Sequence, residues 1–361
     1  MQSGQDDNLP TRKRGRGAVS NRSGRFEATT RNAVDDGWYQ ETEDRIPTTL
    51  TADTARHVIT YNRSPDLGFD RTINPYRGCE HGCIYCYARP SHAYWGLSPG
   101  QDFETKLFAK FDAEALLRAE LTDPRYKPDF VLLGANTDAY QPVEREHKIT
   151  RAVVAQLLRF RHPVGVVTKS ALVVRDSDLW AELAKLQLGH VTISITTLDR
   201  KLARAMEPRA ATPGRRLDAV KALSEAGVPV CVNVAPIIPG LTDHEIEPIL
   251  EAAAEAGASE AAYTLLRLPL EIKDLFREWL TSNCPDRAAK VESLVRQTRG
   301  GALYNSRFGE RMKGTGPYAD QIRQRFAMAA RRFGLNRRLQ ELRTDLFTVP
   351  PAPGQQLSLA L

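Results

Sequence analysis

Three cysteines lie close together in the run RGCEHGCIYCYA, at Cys79, Cys83 and Cys86. Their spacing offers three thiolates to one small group, and thiolates are the ligands that hold iron–sulfur clusters. A four-iron cluster needs four ligands, so three protein thiolates leave one iron open to a substrate or cofactor. The run therefore predicts a catalytic 4Fe-4S cluster rather than one that only carries electrons.

Two other interpretations of the cysteine run stay open. A zinc site would use a fourth Cys or His ligand, and His81 and His92 are close in sequence. In the other interpretation, the three residues are buried thiols that bind nothing. A fold that places the run on a catalytic loop would favour the cluster.

Downstream of the run, short apolar segments alternate with stretches of helical spacing. The predicted strands are FVLLGAN (130–136), VGVVTKS (164–170), HVTISITT (190–197), VPVCVNVAPI (228–237) and SEAAYTLLRLP (259–269). The predicted helices between them are 149–160, 176–187, 215–227 and 243–257. This alternation is typical of parallel βαβ units. With one more strand near residues 71–78, it predicts an α/β fold of about six units, a partial (β/α)6 TIM-like barrel.

The predicted barrel gives the cysteine run a catalytic position, because the run follows the first strand, where the catalytic loops of such barrels lie. We expect the barrel to occupy residues 65–285, followed by a helical C-terminal extension at 286–345. Residues 1–50 have few large apolar side chains, which predicts a disordered, basic N-terminal tail. A basic arm that contacts nucleic-acid phosphates is the alternative. Residues 346–361 are predicted to be a flexible tail.

Composition narrows the class of protein. The chain has 361 residues and a net charge of +6, a weak preference for polyanionic partners. Five cysteines, three of them clustered, suit a reducing compartment better than a disulfide framework. The N-terminus has no apolar signal core, and the longest apolar stretch, 228–241, contains three prolines and is too short to span a membrane. We expect a cytoplasmic protein with no membrane partner.

Several separated motifs follow one another from about Asn74 to Tyr318. They are NPYRGCEHGCIYCYARPSH, TDAYQPVE, VTKS, RDSDL, SITTLD, EPRAATPGRRL and APIIPGLTD. In this order they resemble the radical S-adenosylmethionine (SAM) superfamily, and within it the subfamily related to spore photoproduct lyase. The resemblance implies a barrel of the radical SAM type, one 4Fe-4S cluster on the three cysteines, and SAM as a cofactor. In that superfamily the reduced cluster splits SAM to give a 5′-deoxyadenosyl radical.

The resemblance also implies which residues contact SAM. Tyr85 belongs to the cluster motif, directly before the last cysteine. Asn136, Thr137 and Asp138 follow the second strand, where the superfamily usually has a Gly/Glu-rich segment that meets the amino group of SAM. The common Gly-Gly-Glu form is absent here. A capped loop is the alternative, since Asn, Thr and Asp favour turns.

Three further candidate SAM contacts lie on the third and fourth strands. Lys169 ends the third strand. Ser194 and Thr196 alternate on the fourth, so both point to one face and, if that face is the lumen, to the ribose or carboxylate of SAM. In the alternative, they are barrel hydroxyls that hydrogen bond within the protein. Residues 235–243 resemble the adenine-contacting segment of the superfamily.

Cys231, on the fifth strand, is the candidate catalytic residue. Spore photoproduct lyase reverses a thymine dimer in DNA by hydrogen abstraction, and a cysteine returns the hydrogen. The alternative is a small buried hydrophobic residue, which free cysteines commonly are. Arg175, Glu207 and Arg209 lie at the ends of predicted elements, where they either bind an anionic group or form an ion-pair network.

The chain ends in QLSLAL (356–361) after a proline-rich tether. This stretch is similar to the peptide by which bacterial replication and repair proteins hold the sliding clamp. An extended peptide can place Gln356, Leu357, Leu359 and Leu361 in a preformed apolar groove. A loose tail is the alternative. Clamp binding would place the protein at DNA.

The sequence therefore predicts a radical SAM enzyme that abstracts hydrogen from an unidentified substrate, with nucleic acid in DNA repair as the candidate. Such an enzyme also needs an electron donor. One alternative is an iron–sulfur protein that binds DNA or the clamp without turnover. Another is a radical SAM enzyme that modifies RNA or protein.

Overall fold

The computed structural model describes residues 14–27, 29, 45–337, 339 and 341–351. The strands are β1 (Thr49–Ala52), β2 (Ile59–Tyr61), β3 (Arg71–Ile73), β4 (Tyr76–Arg77), β5 (Lys106–Ala109), β6 (Val131–Leu133), β7 (Val164–Thr168), β8 (Gly189–Ser194), β9 (Val230–Ile237) and β10 (Glu260–Leu265). The α-helices are α1 (Asp102–Thr105), α2 (Ala113–Thr122), α3 (Glu144–His147), α4 (Ile149–Arg159), α5 (Ser177–Lys185), α6 (Arg200–Met206), α7 (Pro213–Glu225), α8 (Ile246–Glu255), α9 (Ile272–Asn283), α10 (Pro285–Gln297) and α11 (Pro317–Arg332). Short 3-10 helices span Arg89–Trp95, Ala171–Asp176 and Asp243–Glu245.

The main sheet has the strand order β10-β9-β8-β7-β6-β3-β2. Its strands β3 and β6 to β10 are parallel to their neighbours, and β2 is antiparallel to β3. The predicted α/β fold with six parallel strands is therefore confirmed, with helices connecting successive strands from β6 onward. A smaller sheet of order β1-β5-β4 adjoins it.

The two faces of the main sheet differ in character. Every second residue of β8 and β9 lies in the apolar core, as expected of a strand covered by helices on one side. The intervening residues define a polar face. Thr192 is paired with Cys231 and Ser194 with Asn233 across these two strands. Ser194 is therefore on the polar face, whereas Thr196, predicted to share that face of the strand, lies two residues beyond the end of β8.

Helices cover the apolar face through stripes of regular spacing. Helix α4, for example, buries Ile149, Val153, Val154 and Leu157, which recur at the period of one helical face. Burial of each such side chain contributes about 1.5–3 kcal/mol. None of the helices in the described part of the chain is long and apolar enough to cross a lipid bilayer.

The prediction of a disordered N-terminal tail is wrong for residues 14–27, named here the N-terminal strap. Arg16, Ala18 and Val19 are buried, and Arg16 donates a hydrogen bond to Glu104 O at 2.8 Å. Low hydrophobicity predicts disorder only when polar groups stay in water, and here they find buried partners. Of the other predicted tail residues, 29 and 45–50 are described, and β1 begins at Thr49. The rest lie outside the described residues.

The C-terminal prediction also changes. Helices α10 and α11 lie within the expected helical extension. Residues 346–351 are described, however, and Phe347 packs against Phe160 with ring centroids 6.2 Å apart. Thr348 N–H donates to Phe160 O at 3.0 Å. The flexible tail therefore does not begin at residue 346, because Phe347 finds an aromatic pocket that is distant in sequence. The candidate clamp residues Gln356, Leu357, Leu359 and Leu361 lie outside the described residues.

Candidate active site

The cysteine loop, residues 78–88, follows β4 shortly after the carboxyl end of β3. The predicted position after the first parallel strand is therefore confirmed. Two turns fold the loop: Gly82 N–H donates to Cys79 O at 3.3 Å, and Cys86 N–H donates to Cys83 O at 3.2 Å. Gly82 has φ +66°, and a Cβ there would lie 2.7 Å from a buried carboxylate oxygen, so glycine is required.

Arg89 fastens the cysteine loop and is completely buried. Its Nε donates to Cys83 O at 2.9 Å, and Nη2 donates to Gly82 O at 3.0 Å. Its Nη1 donates to Gly100 O at 2.9 Å. Glu104, also completely buried, pairs with the guanidinium at 2.5 Å. The planar fork of arginine suits such a set of fixed acceptors and holds the loop carbonyls in place.

The N-terminal strap reaches the same carboxylate. Gly17 N–H and Ala18 N–H each donate to a Glu104 oxygen at 2.8 Å. A Cβ on Gly17 would lie 1.8 Å from Gly82 O, so the strap packs directly on the cysteine loop. Glu104 therefore connects the strap to Arg89, and through it to the loop that carries the cysteines.

The cysteine thiols fit a cluster by their burial and surroundings. Cys79 and Cys83 are buried and Cys86 is partly exposed, and all three are free of disulfides. Burial raises the pKa of Cys79 well above its ordinary value and that of Cys83 to about 12. Asp138 N–H donates to the Cys79 thiolate, and the Lys169 charge favours the Cys83 thiolate. Buried thiolates need a cationic partner, and the irons of a 4Fe-4S cluster supply one.

The zinc interpretation fits less well. Within the residues that the structure describes, no group of three or more Cys, His, Asp or Glu side chains is arranged around one metal ion. His81 Nδ1 lies 3.2 Å from Asp138 Oδ2, and His92 Nε2 lies 2.8 Å from Lys106 O. These contacts occupy one ring nitrogen of each histidine and leave the other uncommitted among the described residues, so the histidines alone do not decide against zinc. A four-iron cluster takes each thiolate on a different iron and needs no histidine.

Tyr85 is anchored by a buried carboxylate, Glu207. The Tyr85 hydroxyl donates to Glu207 Oε1 and lies 3.2 Å from Thr196 Oγ1, which donates to the same oxygen at 2.6 Å. Arg216 donates to Glu207 Oε2, and also to Ser194 O at 3.0 Å. Burial alone would raise the pKa of Glu207, but the Arg216 charge lowers it to about 2. The Thr196 hydroxyl hydrogen bonds within the protein, and SAM contacts by Tyr85, Ser194 and Thr196 stay predictions.

Asp138 connects two strand ends to the cysteine loop. Its Oδ1 accepts from Thr168 Oγ1 at 2.6 Å, and its Oδ2 accepts from Lys169 N–H at 2.8 Å. Burial would raise the pKa of Asp138, but the charge of His81 and these hydrogen bonds lower it to about 2. Its carboxylate is therefore engaged with protein groups, and a direct contact with SAM stays a prediction.

Asn136 and Thr137 have different surroundings although they are adjacent. Thr137 is buried, and its hydroxyl donates to Tyr76 O at 2.6 Å. The side chain of Asn136 is exposed and lines a cavity of about 320 Å³ together with Arg77 and Trp95. Of the two, Asn136 is the better placed to contact a bound molecule.

Lys169 places a positive charge beside Tyr85 of the cysteine loop. Its Nζ lies 5.7 Å from the centroid of the Tyr85 ring. Burial alone would lower the pKa of Lys169, but the charges of Cys83 and Glu207 raise it, so the ammonium is retained. Among the described residues, Lys169 Nζ has no hydrogen-bond acceptor, which leaves it able to bind a carboxylate.

Cys231 lies on the polar face, but near the amino end of β9. It is buried, and its thiol hydrogen bonds with Thr192. Burial raises the pKa of Cys231 to about 12. Ala235, four residues further along the strand, is about 13 Å nearer the carboxyl edge. The hydrogen-donor role of Cys231 stays a prediction.

The three charged residues at element ends form ion pairs. Arg175 Nη2 lies 2.7 Å from Glu144 Oε1, and Arg209 Nη2 lies 2.9 Å from Glu80 Oε1. Glu207 belongs to the buried pair described above. The ion-pair interpretation of these residues is therefore confirmed by their contacts.

Sequence reasoning missed how the residues that hold the cysteine loop are paired. Arg89 and Glu104 are 15 positions apart and share no motif, and the only signal for them is an arginine three residues after the last cysteine, inside CYARP. Glu207 is an ion-pair candidate in the sequence and shares the run EPRAATPGRRL with Arg216, 9 positions away, but no local pattern indicates that the two are partners.

Comparisons with known proteins agree with this site. The family profile described as the radical SAM superfamily matches residues 73–253. An uncharacterized protein of Mycobacterium tuberculosis is 36% identical over 233 residues, which is 64% of this chain and 68% of the relative. An uncharacterized protein of Methanocaldococcus jannaschii is 28% identical over 222 residues, 61% of this chain and 78% of the relative.

Solved structures of spore photoproduct lyase share the fold. The complex with dinucleoside spore photoproduct has a TM-score of 0.55 and 15% identity, covering 79% of each chain. A double mutant of that lyase with bound AdoMet and dinucleoside spore photoproduct has a TM-score of 0.54 and 14% identity, covering 79% of this chain and 78% of the other. The chain belongs to the radical SAM superfamily, and it is an enzyme that uses a 4Fe-4S cluster and SAM.

Proposed function

We propose that the enzyme uses its SAM-derived radical to abstract hydrogen from a nucleic acid, in the service of DNA repair. The exposed aromatic surface beside the cysteine loop is the observation that carries this proposal. Cluster and SAM together supply a radical that takes hydrogen from carbon, and an electron donor must reduce the cluster first.

The protein's own residues would bind and orient the cofactors. Cys79, Cys83 and Cys86 hold the cluster. Lys169, whose ammonium has no hydrogen-bond acceptor among the described residues, would take the carboxylate of SAM, with Asn136 as a further polar contact. The buried Glu207 network holds Tyr85 in place and keeps water from that side of the loop.

Aromatic and arginine side chains surround the entrance beside the loop. Phe26, Tyr94 and Trp95 are 57%, 72% and 44% exposed. The Arg25 guanidinium lies 5.2 Å from the Phe26 ring, and the Arg77 guanidinium lies 4.6 Å from the Trp95 ring. Nucleobases stack on such rings. Arg25 and Arg77 are paired with Glu271 and Asp53, each at 2.6 Å, so base stacking is the contact that this surface supports.

Two further partners belong to the same proposal. The C-terminal peptide with Gln356 and Leu357 would tether the enzyme to the sliding clamp. A cytoplasmic electron donor would reduce the cluster, and the five free cysteines suit a reducing compartment. Spore photoproduct lyase binds a dinucleoside photoproduct, which supports ultraviolet-damaged DNA as the first substrate class to examine.

The test is anaerobic reconstitution with iron and sulfide, followed by dithionite and SAM, with 5′-deoxyadenosine measured by chromatography. We expect 5′-deoxyadenosine from the wild type and none from Cys83→Ala, since that change removes a cluster ligand. Cys284→Ala is the matched control, because Cys284 is partly exposed at the α9–α10 junction and should leave production unchanged. Ultraviolet-irradiated DNA should increase the yield relative to intact DNA.

Two outcomes would count against the proposal. A cluster without 5′-deoxyadenosine under any condition would favour a protein that binds without turnover. Production that responds to RNA or peptide, and not to DNA, would keep the radical chemistry and reject the substrate.

A further inference from the structure

Two arginines lie at the carboxyl edge of the last parallel strand. Arg267 is two residues beyond the end of β10 and is partly exposed. Its guanidinium lies 5.2 Å from the ring centroid of Tyr87, the residue after the last cluster cysteine. Arg267 is therefore beside the cysteine loop, on the side of the loop that faces β10.

Arg299 holds the backbone beneath Arg267. Its Nη2 donates to Leu266 O at 2.6 Å, and its Nη1 donates to Arg311 O at 2.9 Å. Arg267 Nη1 contacts Met312 Sδ at 3.4 Å. The two arginines thus lie side by side, and both contact the segment at residues 311–312. Arg299 is only 2% exposed.

Neither arginine has a carboxylate partner among the residues that the structure describes: the acceptor of Arg267 is a sulfur, and those of Arg299 are backbone carbonyls. The Nε of each is buried without a hydrogen-bond acceptor. Burial and the Arg267 charge lower the pKa of Arg299 to about 10, with only Tyr304 opposing them. Four backbone carbonyls accept hydrogen bonds from the Arg299 guanidinium and stabilise its charge. The hydrogen bond that Arg267 donates goes to a thioether sulfur, a weak acceptor, so Arg267 is the cation that an anion would complete.

We propose that Arg267, supported by Arg299, binds a phosphate group of the substrate. The proposal rests on the radical SAM function proposed above. A guanidinium fork matches phosphate geometry, and phosphate supplies the negative charge that the pair lacks. The carboxylate of SAM has its own cation in Lys169, at the end of β7. Three strand spacings separate β7 from β10, about 14 Å across the sheet.

The test compares the full-length reconstituted protein with Arg267→Gln and Arg267→Lys. The probe is a short fluorescent single-stranded oligothymidylate, with inorganic phosphate as the competitor. We expect Arg267→Gln to weaken oligothymidylate binding about tenfold or more, because a charged hydrogen bond is lost. The salt dependence of binding should fall by about one phosphate contact. Arg267→Lys should restore part of the affinity.

Three controls separate this inference from the proposed function. Arg325→Gln is the matched control, since Arg325 is partly exposed but paired with Glu247 at 2.6 Å, and it should bind the probe like the wild type. Iron content and the affinity for SAM, measured in Arg267→Gln beside the wild type, separate loss of the phosphate contact from loss of the cofactors. Inorganic phosphate should compete with oligothymidylate in the wild type and not in Arg267→Gln.

Three results would overturn the inference. Equal probe affinity in wild type and Arg267→Gln, with 5′-deoxyadenosine production intact, would reject the phosphate site and leave the proposed function standing. Weaker SAM binding in Arg267→Gln would assign the pair to the cofactor. Competition by phosphate that survives in Arg267→Gln would place the anion elsewhere. Absence of 5′-deoxyadenosine in the wild type would instead be a failure of the proposed function.

Discussion

Arginines lie on both sides of the cysteine loop, and they differ in their partners. On one side, Arg89 pairs with Glu104 and Arg216 pairs with Glu207. On the β10 side, Arg267 and Arg299 have no carboxylate partner in the described part of the chain. An arginine that is paired with a carboxylate inside the fold holds the cysteine loop in a fixed conformation. A charge left without a partner is available to a ligand, and its desolvation cost is compensated only when the ligand arrives.

The largest expected effect comes from removing the carboxylate that pairs with Arg89. Glu104→Gln would leave Arg89 buried without a counter-charge and would present an amide to the Gly17 and Ala18 N–H donors. We expect the free energy of unfolding to fall by about 3–5 kcal/mol, and the loop to retain less iron. Thermal unfolding and iron content measure this.

The exposed Glu114 provides the control for that change. Glu114→Gln should alter stability by less than about 0.5 kcal/mol. If Glu104→Gln were as stable as Glu114→Gln, the buried pair would not be a scaffold, and the difference between the two sides would lose its meaning.

The next effect concerns Lys313, another cation on the β10 side. Its Nζ donates to Tyr263 O at 2.6 Å, and burial lowers its pKa to about 8. The folded pKa is below the unfolded value of about 10.5, so the folded state gives up its proton first. Stability should therefore rise between pH 8 and pH 10.5, by about 3 kcal/mol.

Lys313→Met isolates this contribution. Chemical unfolding of wild type and variant across the same pH interval should show a rise for the wild type that the variant lacks. If the unfolding free energies of wild type and Lys313→Met changed with pH in parallel, the Lys313 ammonium would be solvated. The β10 side would then lack this buried cation.

The smallest expected effect tests Trp95, an exposed aromatic residue that lines the cavity beside Asn136. Trp95→Ala should weaken oligothymidylate binding by about 1–3 kcal/mol, the usual value of one base–aromatic stack. Tyr61→Ala is the control, because Tyr61 is also exposed and also has an arginine, Arg71, 5.4 Å from its ring, but it lies on the edge strand β2. Fluorescence anisotropy of the probe compares the two. Equal losses would mean that exposed aromatics bind the strand non-specifically.

Part of the fold and of the site could be predicted from residues that are neighbours in the sequence. Six parallel strands follow from apolar runs of strand length between helical stretches. The placement of Cys79, Cys83 and Cys86 after the first strand follows from their position in that order. The position of Ser194 on one face of its strand follows from the two-residue period of a strand.

Other parts could not be read in this way. Residues 14–27 have the composition of a disordered segment, yet they are ordered because Glu104, nearly 90 positions away, accepts their N–H groups. The assignment of Asp138 and Thr196 as SAM contacts depended on position alone. The structure places their polar atoms in hydrogen bonds with Thr168 and Glu207, which no local pattern indicates.

The sequence by itself determined the chemistry and the order of the elements. Cysteine spacing and hydrophobic period are properties of neighbouring residues, so a linear reading is sufficient for both. Only the tertiary structure decided which charges are neutralised and which are left for a ligand. Arg89 and Arg267 are the same amino acid, but Arg89 pairs with a carboxylate and Arg267 does not. The reason is that pairing depends on the distances between charged groups after the chain has folded.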